Sequence, residues 1–405
     1  MRKFLSFILL FVLAVSVFAV PANRKPFVIK QSDGTMLSVV LKGDESMRFY
    51  TTRDGKYIVK EDNGDFCYAT FSSEGRFVST GVIAHDKEKR NNVENELLSG
   101  MDYDAMKAAV SKTHKLRSAK YRGTAATRAA SSSIVPKGEV LVPVLLVQYK
   151  DVKFSYTKEH INKLLNEEGY KYKFGVSNIE SHGSARDYFI AQSDSLFFPK
   201  FVVTDILTLP NEMSYYGGNN SSGEDSRPQE MIRDGIDLAD NAGWDFSQFD
   251  NDKNGEVEFI FCIYAGYSES NQADANTIWP HKWELSSAIG KKKVDGVYCD
   301  TYACSSELNM NEKYEEEYDK WLSGIGTICH EFSHCLGLAD IYDVNGESGN
   351  FCMNEWDIMD YGIRKDFLVE ENKKAHMSVT TPQCRIKCAA CGANKLNGGK
   401  WNMNN

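Results

Sequence analysis

His330-Glu331-Phe332-Ser333-His334, followed by Gly337 and Asp340, is the segment that most restricts what this chain can become. Two histidines four apart meet on one face of a helix, one turn above the other, so the stretch must be helical if both are to grip one ion. Glu331 then stands beside the metal, where a carboxylate can accept the proton of a water attacking a carbonyl. Glycine adopts the left-handed conformation without steric cost, so Gly337 predicts the end of the helix and a turn that returns Asp340 as third ligand. Glu347 and Glu355 are alternative third ligands, but Gly346, Gly349 and Asn350 interrupt any helix that would carry them. Three protein ligands and one open position make the hydrolytic form of a zinc site, and Zn2+ is the expected cofactor.

The helix needs a support, and the preceding chain predicts one. Val140 to Val147 is a near-continuous, valine-rich apolar run, as in a strand buried on both faces, with Pro143 marking an edge or a bulge. Pro228 to Asn241 has helical spacing, with Met231, Ile232, Ile236 and Leu238 as its apolar set, and Val257 to Tyr264 reads as a second buried strand. With a zinc helix from about Gly326 to Leu336, residues 136–362 are expected to form an α+β catalytic domain: a mixed β-sheet covered by helices, with a cleft beside the ion.

Upstream the pattern differs. Between residues 20 and 110, short segments such as Met36–Leu41 and Tyr57–Val59 are punctuated by Asp33-Gly34, Asp54-Gly55 and Asn63-Gly64, which are hairpin signals, so this part reads as a small β-rich domain. Residues 111–135 then mix Lys112, Lys115, Arg117, Lys120, Arg122 and Arg128 with Ser, Ala and Thr, the composition of a flexible, protease-sensitive linker or a plain solvated tether. At the start, Arg2 and Lys3 precede an apolar run from Phe4 to Phe18, and Val17-Phe18-Ala19 has the small residues that a signal peptidase reads. Residues 1–19 are therefore expected to be a signal peptide for secretion, with no stable membrane insertion after its removal; a retained anchor is the alternative.

A formal net charge of -9 argues against nucleic acid as a partner. Ten cysteines are compatible with bridges in an exported protein. Cys299 and Cys304 flank a short segment and can close a loop, whereas Cys329 and Cys335 beside the zinc helix read as buried small residues. Cys67 has two readings, a thiolate that reaches the metal in a latent form and an ordinary strand cysteine within Phe66–Phe71. His281, between Trp279 and Trp283, reads as a core or rim histidine. Asp250, Asp252 and Asn254 before Gly255 match the first half of a calcium loop, but Phe261 stands where an EF-hand has its glutamate. Glu256 and Glu258 are the nearby carboxylates that can complete a Ca2+ shell, and a polar hairpin turn is the competing reading.

Trp356-Asp357-Ile358-Met359-Asp360-Tyr361-Gly362 resembles the methionine turn beneath the zinc of metzincins. Together with Leu338–Asp343, Ser184–Phe189, Ile278–Trp283 and Asp250–Gly255, it resembles the secreted metalloproteases related to immune inhibitor A, over Pro136 to Gly362. That resemblance implies a metzincin-like zincin fold and a zymogen whose β-rich segment is a propeptide. It also implies zinc on His330, His334 and Asp340, Glu331 as general base, a structural Met359, and protein or peptide substrates cleaved internally. Tyr361 takes the position of a tyrosine that in some metzincins contacts the resting zinc and then the tetrahedral intermediate, unless it simply packs. Residues 363–405, rich in Lys, Asn and Cys and including Cys384, Cys388 and Cys391, depart from the family pattern as an atypical, truncated or frameshifted tail would. Such a tail leaves a second reading, a catalytically impaired, calcium-braced secreted binding protein derived from a protease.

Overall fold

The computed structural model describes residues 20–121, 136–172, 183–220, 223–309, 322–338, 340 and 357–360. The expected signal peptide, residues 122–135, Glu347, Glu355, Tyr361 and the tail lie outside the described residues.

Strands β1 (Phe27–Lys30), β2 (Met36–Asp44), β3 (Met47–Thr52), β4 (Tyr57–Lys60), β5 (Phe66–Phe71) and β6 (Phe77–Ile83) pair in chain order as an antiparallel meander. The Asp-Gly and Asn-Gly pairs fall in the turns between them, with Gly34, Gly55 and Gly64 at positive φ. Cys67 is a buried residue of β5, and burial pushes its thiol above the ordinary value, as expected of the strand reading. Two helices cover the sheet. The first, α1 (Asn92–Ser99), starts in a reciprocal capping box between Asn91 and Glu94.

The second, α2 (Tyr103–Tyr121), corrects the linker expectation, because it runs through the first part of residues 111–135. Met106, Val110 and His114 recur every four residues, which puts them on one helical face. Val110 and Met106 pack against Met47 and Tyr57, while Lys112 and Lys115 stay exposed. Composition alone registered the basic face and overlooked the buried one. His114 is buried, and its Nε2 lies 2.8 Å from the Asp44 carboxylate at the end of β2.

The second unit is built on a mixed five-stranded sheet. Its members are β7 (Gly138–Gln148), β8 (Phe197–Thr208), β10 (Ile260–Tyr264), β11 (His281–Glu284) and β14 (Thr301–Ser306), in the order β11-β14-β10-β7-β8. All neighbours are parallel except β11, the antiparallel edge. A smaller sheet joins β12 (Lys292–Val294), β13 (Val297–Cys299) and β9 (Glu256–Val257). The predicted strand over 257–264 is thus broken: Val257 closes β9 and the chain passes through Glu258 before β10 begins. Cys299 and Cys304 are free thiols on β13 and β14, so the loop they could have closed is unbridged.

Pleat alternation sorts β7 into two cores. Val142, Val144 and Leu146 face one core with α3 (Lys158–Asn166), α4 (Ala185–Gln192) and α7 (Ile325–Cys335). Leu145, Val147 and Tyr149 face the other, with Met231, Ile232 and Ile236 of α6 (Pro228–Asn241); the short α5 (Met213–Gly217) precedes it. Pro143 is tolerated in this central strand because pairing to β10 starts at Val144, and β7 bulges against β8 between Val144 and Leu146. Every residue of α7 is buried. Phe332 anchors it, with its ring centroid 4.7 Å from those of both Phe189 and Phe259, edge to face.

Candidate active site

The end of α7 shapes the site. Gly337 sits at φ +84°, its N–H donates to His334 O at 2.9 Å, and the Leu338 N–H reaches back to Ser333 O at 3.0 Å, the bond pair of a Schellman cap. That turn brings the Leu338 carbonyl to His334 Nδ1 at 2.8 Å. It also brings Asp340 Oδ1 to 3.3 Å from His330 Nε2 and 3.5 Å from His334 Nε2.

The two imidazoles have defined tautomers. His330 Nδ1 donates to Ile358 O at 2.7 Å and His334 Nδ1 to Leu338 O, so each ring places its proton on Nδ1 and its lone pair on Nε2. The two Nε2 atoms are 3.0 Å apart. Two lone pairs and a carboxylate converging at this spacing repel one another unless a cation lies between them. Imidazole nitrogens with one carboxylate and second-sphere carbonyls are a donor set suited to zinc, so the residues present fit the ion that the sequence predicts.

The turn at Asp357–Asp360 lies beneath His330, to which it supplies the Ile358 carbonyl. Met359 is fully buried, and its N–H donates to Asp357 Oδ1 at 2.8 Å. Its position is that of a packing residue rather than a ligand.

Glu331 is fully buried, and burial pushes its carboxyl well above the ordinary carboxylate range. Its Oε1 accepts the main-chain N–H of Val20 at 3.1 Å, whereas Oε2 accepts none among the described residues. Sequence reasoning missed Val20, although it directly follows the expected cleavage motif. The segment it begins is held along its length. Trp279 Nε1 donates to Val20 O at 2.9 Å, Ala22 N–H to Gly43 O at 2.9 Å, and Asn23 N–H to Ser270 O at 2.8 Å. Gly43 is at φ +99°, and a side chain there would strike the Met47 carbonyl, so the hairpin that receives Ala22 requires glycine.

His281 is a buried core histidine, with Nδ1 2.6 Å from Trp279 O and Nε2 2.8 Å from the Tyr302 hydroxyl; burial lowers its pKa. At the other candidate cation site, carboxylate oxygens of Asp250, Asp252 and Glu258 lie within 4.8 Å of one another. Glu256 is not part of this cluster, because its side chain turns to Lys291 at 2.6 Å. Asn254 is hydrogen-bonded to Asp250, Asp252 and the Glu256 N–H. Among the described residues, no helix is long and apolar enough to cross a membrane.

Comparison with known proteins places this arrangement. Residues 147–378 match the family model described as immune inhibitor A peptidase M6, catalytic domain. The match starts later than Pro136 and runs past Gly362, so the family pattern extends over residues 363–378, where an atypical tail is expected from the sequence. The chain is 26% identical over 273 residues to "Immune inhibitor A" of Bacillus thuringiensis subsp. alesti, covering 58% of this chain and 38% of that protein. It is 22% identical over 334 residues to "Pre-pro-metalloprotease PrtV" of Vibrio cholerae serotype O1, covering 70% of this chain and 35% of that protein. The chain therefore spans well under half the length of these curated relatives.

Proposed function

This chain belongs to the immune inhibitor A peptidase family, and from that premise we propose that it is a secreted, zinc-dependent endopeptidase made as a zymogen. The observation that carries the reading is the meeting of His330 Nε2, His334 Nε2 and Asp340 Oδ1, with both Nδ1 protons committed to carbonyls and Glu331 one residue along the helix. Zinc bound there supplies a Lewis acid that polarises a substrate carbonyl and acidifies water. Glu331 accepts the proton of the attacking water and passes it to the leaving amine. Tyr361, two residues past Met359, is assigned to hydrogen-bond the developing oxyanion, on the strength of the resemblance alone.

The zymogen part rests on Val20, whose nitrogen, an α-amino group once residues 1–19 are removed, meets the Glu331 carboxyl. Residues 20–110 act as the propeptide, and the Val20 segment lies against the general base and under Trp279, where it excludes substrate. A relative whose name includes "pre-pro" fits this reading. Activation is assigned to a cut after Tyr121, in the remainder of the basic linker. We further assign Ca2+ to Asp250, Asp252 and Glu258, with Asn254 as an oxygen donor, bracing the approach to β10. Export rests on the signal-like residues 1–19, and peptide segments of other proteins are the substrates.

The test is hydrolysis of an unfolded protein by the linker-nicked chain, beside Glu331→Ala and a chelated sample restored with zinc. Activity that disappears in the variant and returns with zinc supports the proposal. A folded, zinc-loaded wild type no faster than Glu331→Ala rejects it in favour of a calcium-braced binding protein.

A further inference from the structure

Arg48 of β3 crosses from the N-terminal unit into the second one. Its Nη2 lies 2.8 Å from Asp225 Oδ1 and 2.6 Å from Glu269 Oε2, and it also donates to Asn219 Oδ1. Its Cζ stands 5.3 Å from the centre of the Trp279 ring. The Arg48 side chain is only 5% exposed, and those of Asp225 and Glu269 are 7% and 3%. Asp225 is itself fixed, because its Oδ2 accepts the Trp279 N–H at 2.9 Å.

The arrangement sits next to the chemistry. Trp279 presents its ring to Arg48 and its indole N–H to Val20, and Val20 donates to Glu331. Trp279 and Val20 therefore link the acidic pair to the general base through hydrogen bonds. Everything that receives Arg48 belongs to the second unit, while Arg48 itself belongs to the part that activation removes. Two carboxylates in a mostly desolvated place are costly once their cation has gone, and burial already pushes the Glu269 carboxyl up to about 7 against the pull of Arg48. A cavity of about 290 Å³, lined by Asp225, Glu224, His281 and Trp283 of the second unit and by Glu45 of the N-terminal one, reaches the Asp225 side of the pair and gives a long side chain room to approach. An aromatic face beside carboxylates favours an organic cation on an apolar stem over a metal ion, because the ring stacks on guanidinium and covers methylenes.

We propose that Asp225, Glu269 and Trp279 form a substrate subsite for an arginine or lysine side chain, which Arg48 fills as an internal mimic until the N-terminal unit leaves. This deepens the peptidase reading and rests on it. The three are specificity residues, separate from the proton transfers at Glu331.

The test uses the linker-nicked chain and a set of peptides that differ at one position at a time, with Arg, Lys, Ala or Glu there. At one position, kcat/KM for Arg and Lys is expected to exceed that for Ala by at least tenfold. In Glu269→Gln that advantage collapses, and the loss is read in KM rather than in kcat. Asp225→Asn, which also touches the Trp279 N–H, is the second variant, and melting curves check that both fold. Zinc-dependent hydrolysis with no basic preference at any position, or a preference that survives Glu269→Gln and Asp225→Asn, overturns the subsite alone. No zinc-dependent hydrolysis of any peptide overturns the peptidase reading and the substrate assignment with it.

Discussion

The main-chain N–H of Val20 donates to Oε1 of Glu331 at 3.1 Å, joining residues 311 positions apart. The bond sets the start of the β-rich unit against the proposed general base, and Trp279 holds it there through Val20 O. Trp279→Phe keeps a ring but loses the indole N–H. Losing a buried hydrogen bond costs about 1 kcal/mol, which corresponds to roughly a fivefold rise in the ratio of un-nicked to nicked activity. Taking the ratio cancels any effect on turnover itself, and an unchanged ratio would detach the Val20 segment from latency.

Glu331→Gln preserves shape and removes the base. Hydrolysis is expected to fall by about 10²- to 10⁴-fold, the usual worth of a positioned general base, while bound zinc stays stoichiometric. Metal analysis beside initial rates decides this, and loss of zinc in the variant would make Glu331 a structural group of the metal site instead.

Zinc should bind the folded chain and raise its melting temperature. At a free concentration of about 100 times Kd the stabilisation is about 2.7 kcal/mol. Asp340→Asn and His334→Ala are each expected to lose most of that rise, since each removes one of the three convergent donors. A full zinc shift in Asp340→Asn would move the third ligand elsewhere.

Phe332 is fully buried among Phe189, Phe197, Phe201 and Phe259. Phe332→Ala opens a cavity beneath the zinc helix and is expected to cost about 3 to 5 kcal/mol. Denaturant unfolding of metal-free protein measures it without the contribution of zinc.

The β-rich unit should respond to pH through His85. Burial pulls its imidazolium down, but hydrogen bonds to Asp33 at 2.8 Å and Glu94 at 2.9 Å outweigh this, and the net shift is upward. A raised histidine contributes stability that is complete below its ordinary value of about 6.5 and is lost as pH rises through the raised one. The non-titrating comparison is His85→Gln: the wild-type advantage in melting temperature should be larger at about pH 5.5 than at about pH 8.5. Asp33 acts at the other end. Thr35, through its hydroxyl and N–H, holds the Asp33 carboxyl down at about 2, so that contribution is lost only in strong acid.

The helix that carries His330 and His334, the turn at Gly337, the approach of Asp340 to both histidines and the strands around Val144 and Ile263 were all readable from residue order. Each depends on local physics: the 3.6-residue period that superposes His330 and His334, the freedom of glycine at positive φ, and apolar runs that cannot face water. The tautomers of the two histidines were not readable, because Ile358 O reaches His330 only once a later turn folds beneath the helix. Helix α2 was hidden because its buried face is sparse, and it needs the sheet of β1–β6 to make Val110 and His114 interior. Glu256 shares the spacing of a calcium ligand, and the position of Lys291 draws it away.

Contacts between the two units lie furthest from what residue order can specify. Val20, Arg48 and Trp279 carry no motif that announces their partners. Arg48 has meaning only where Asp225 and Glu269, 177 and 221 positions away, are brought to one guanidinium where the two units meet. Chain spacing encodes what lies within a few turns of itself. Which remote carboxylate loses its water, and which backbone N–H reaches Glu331, follows from how the two cores dock.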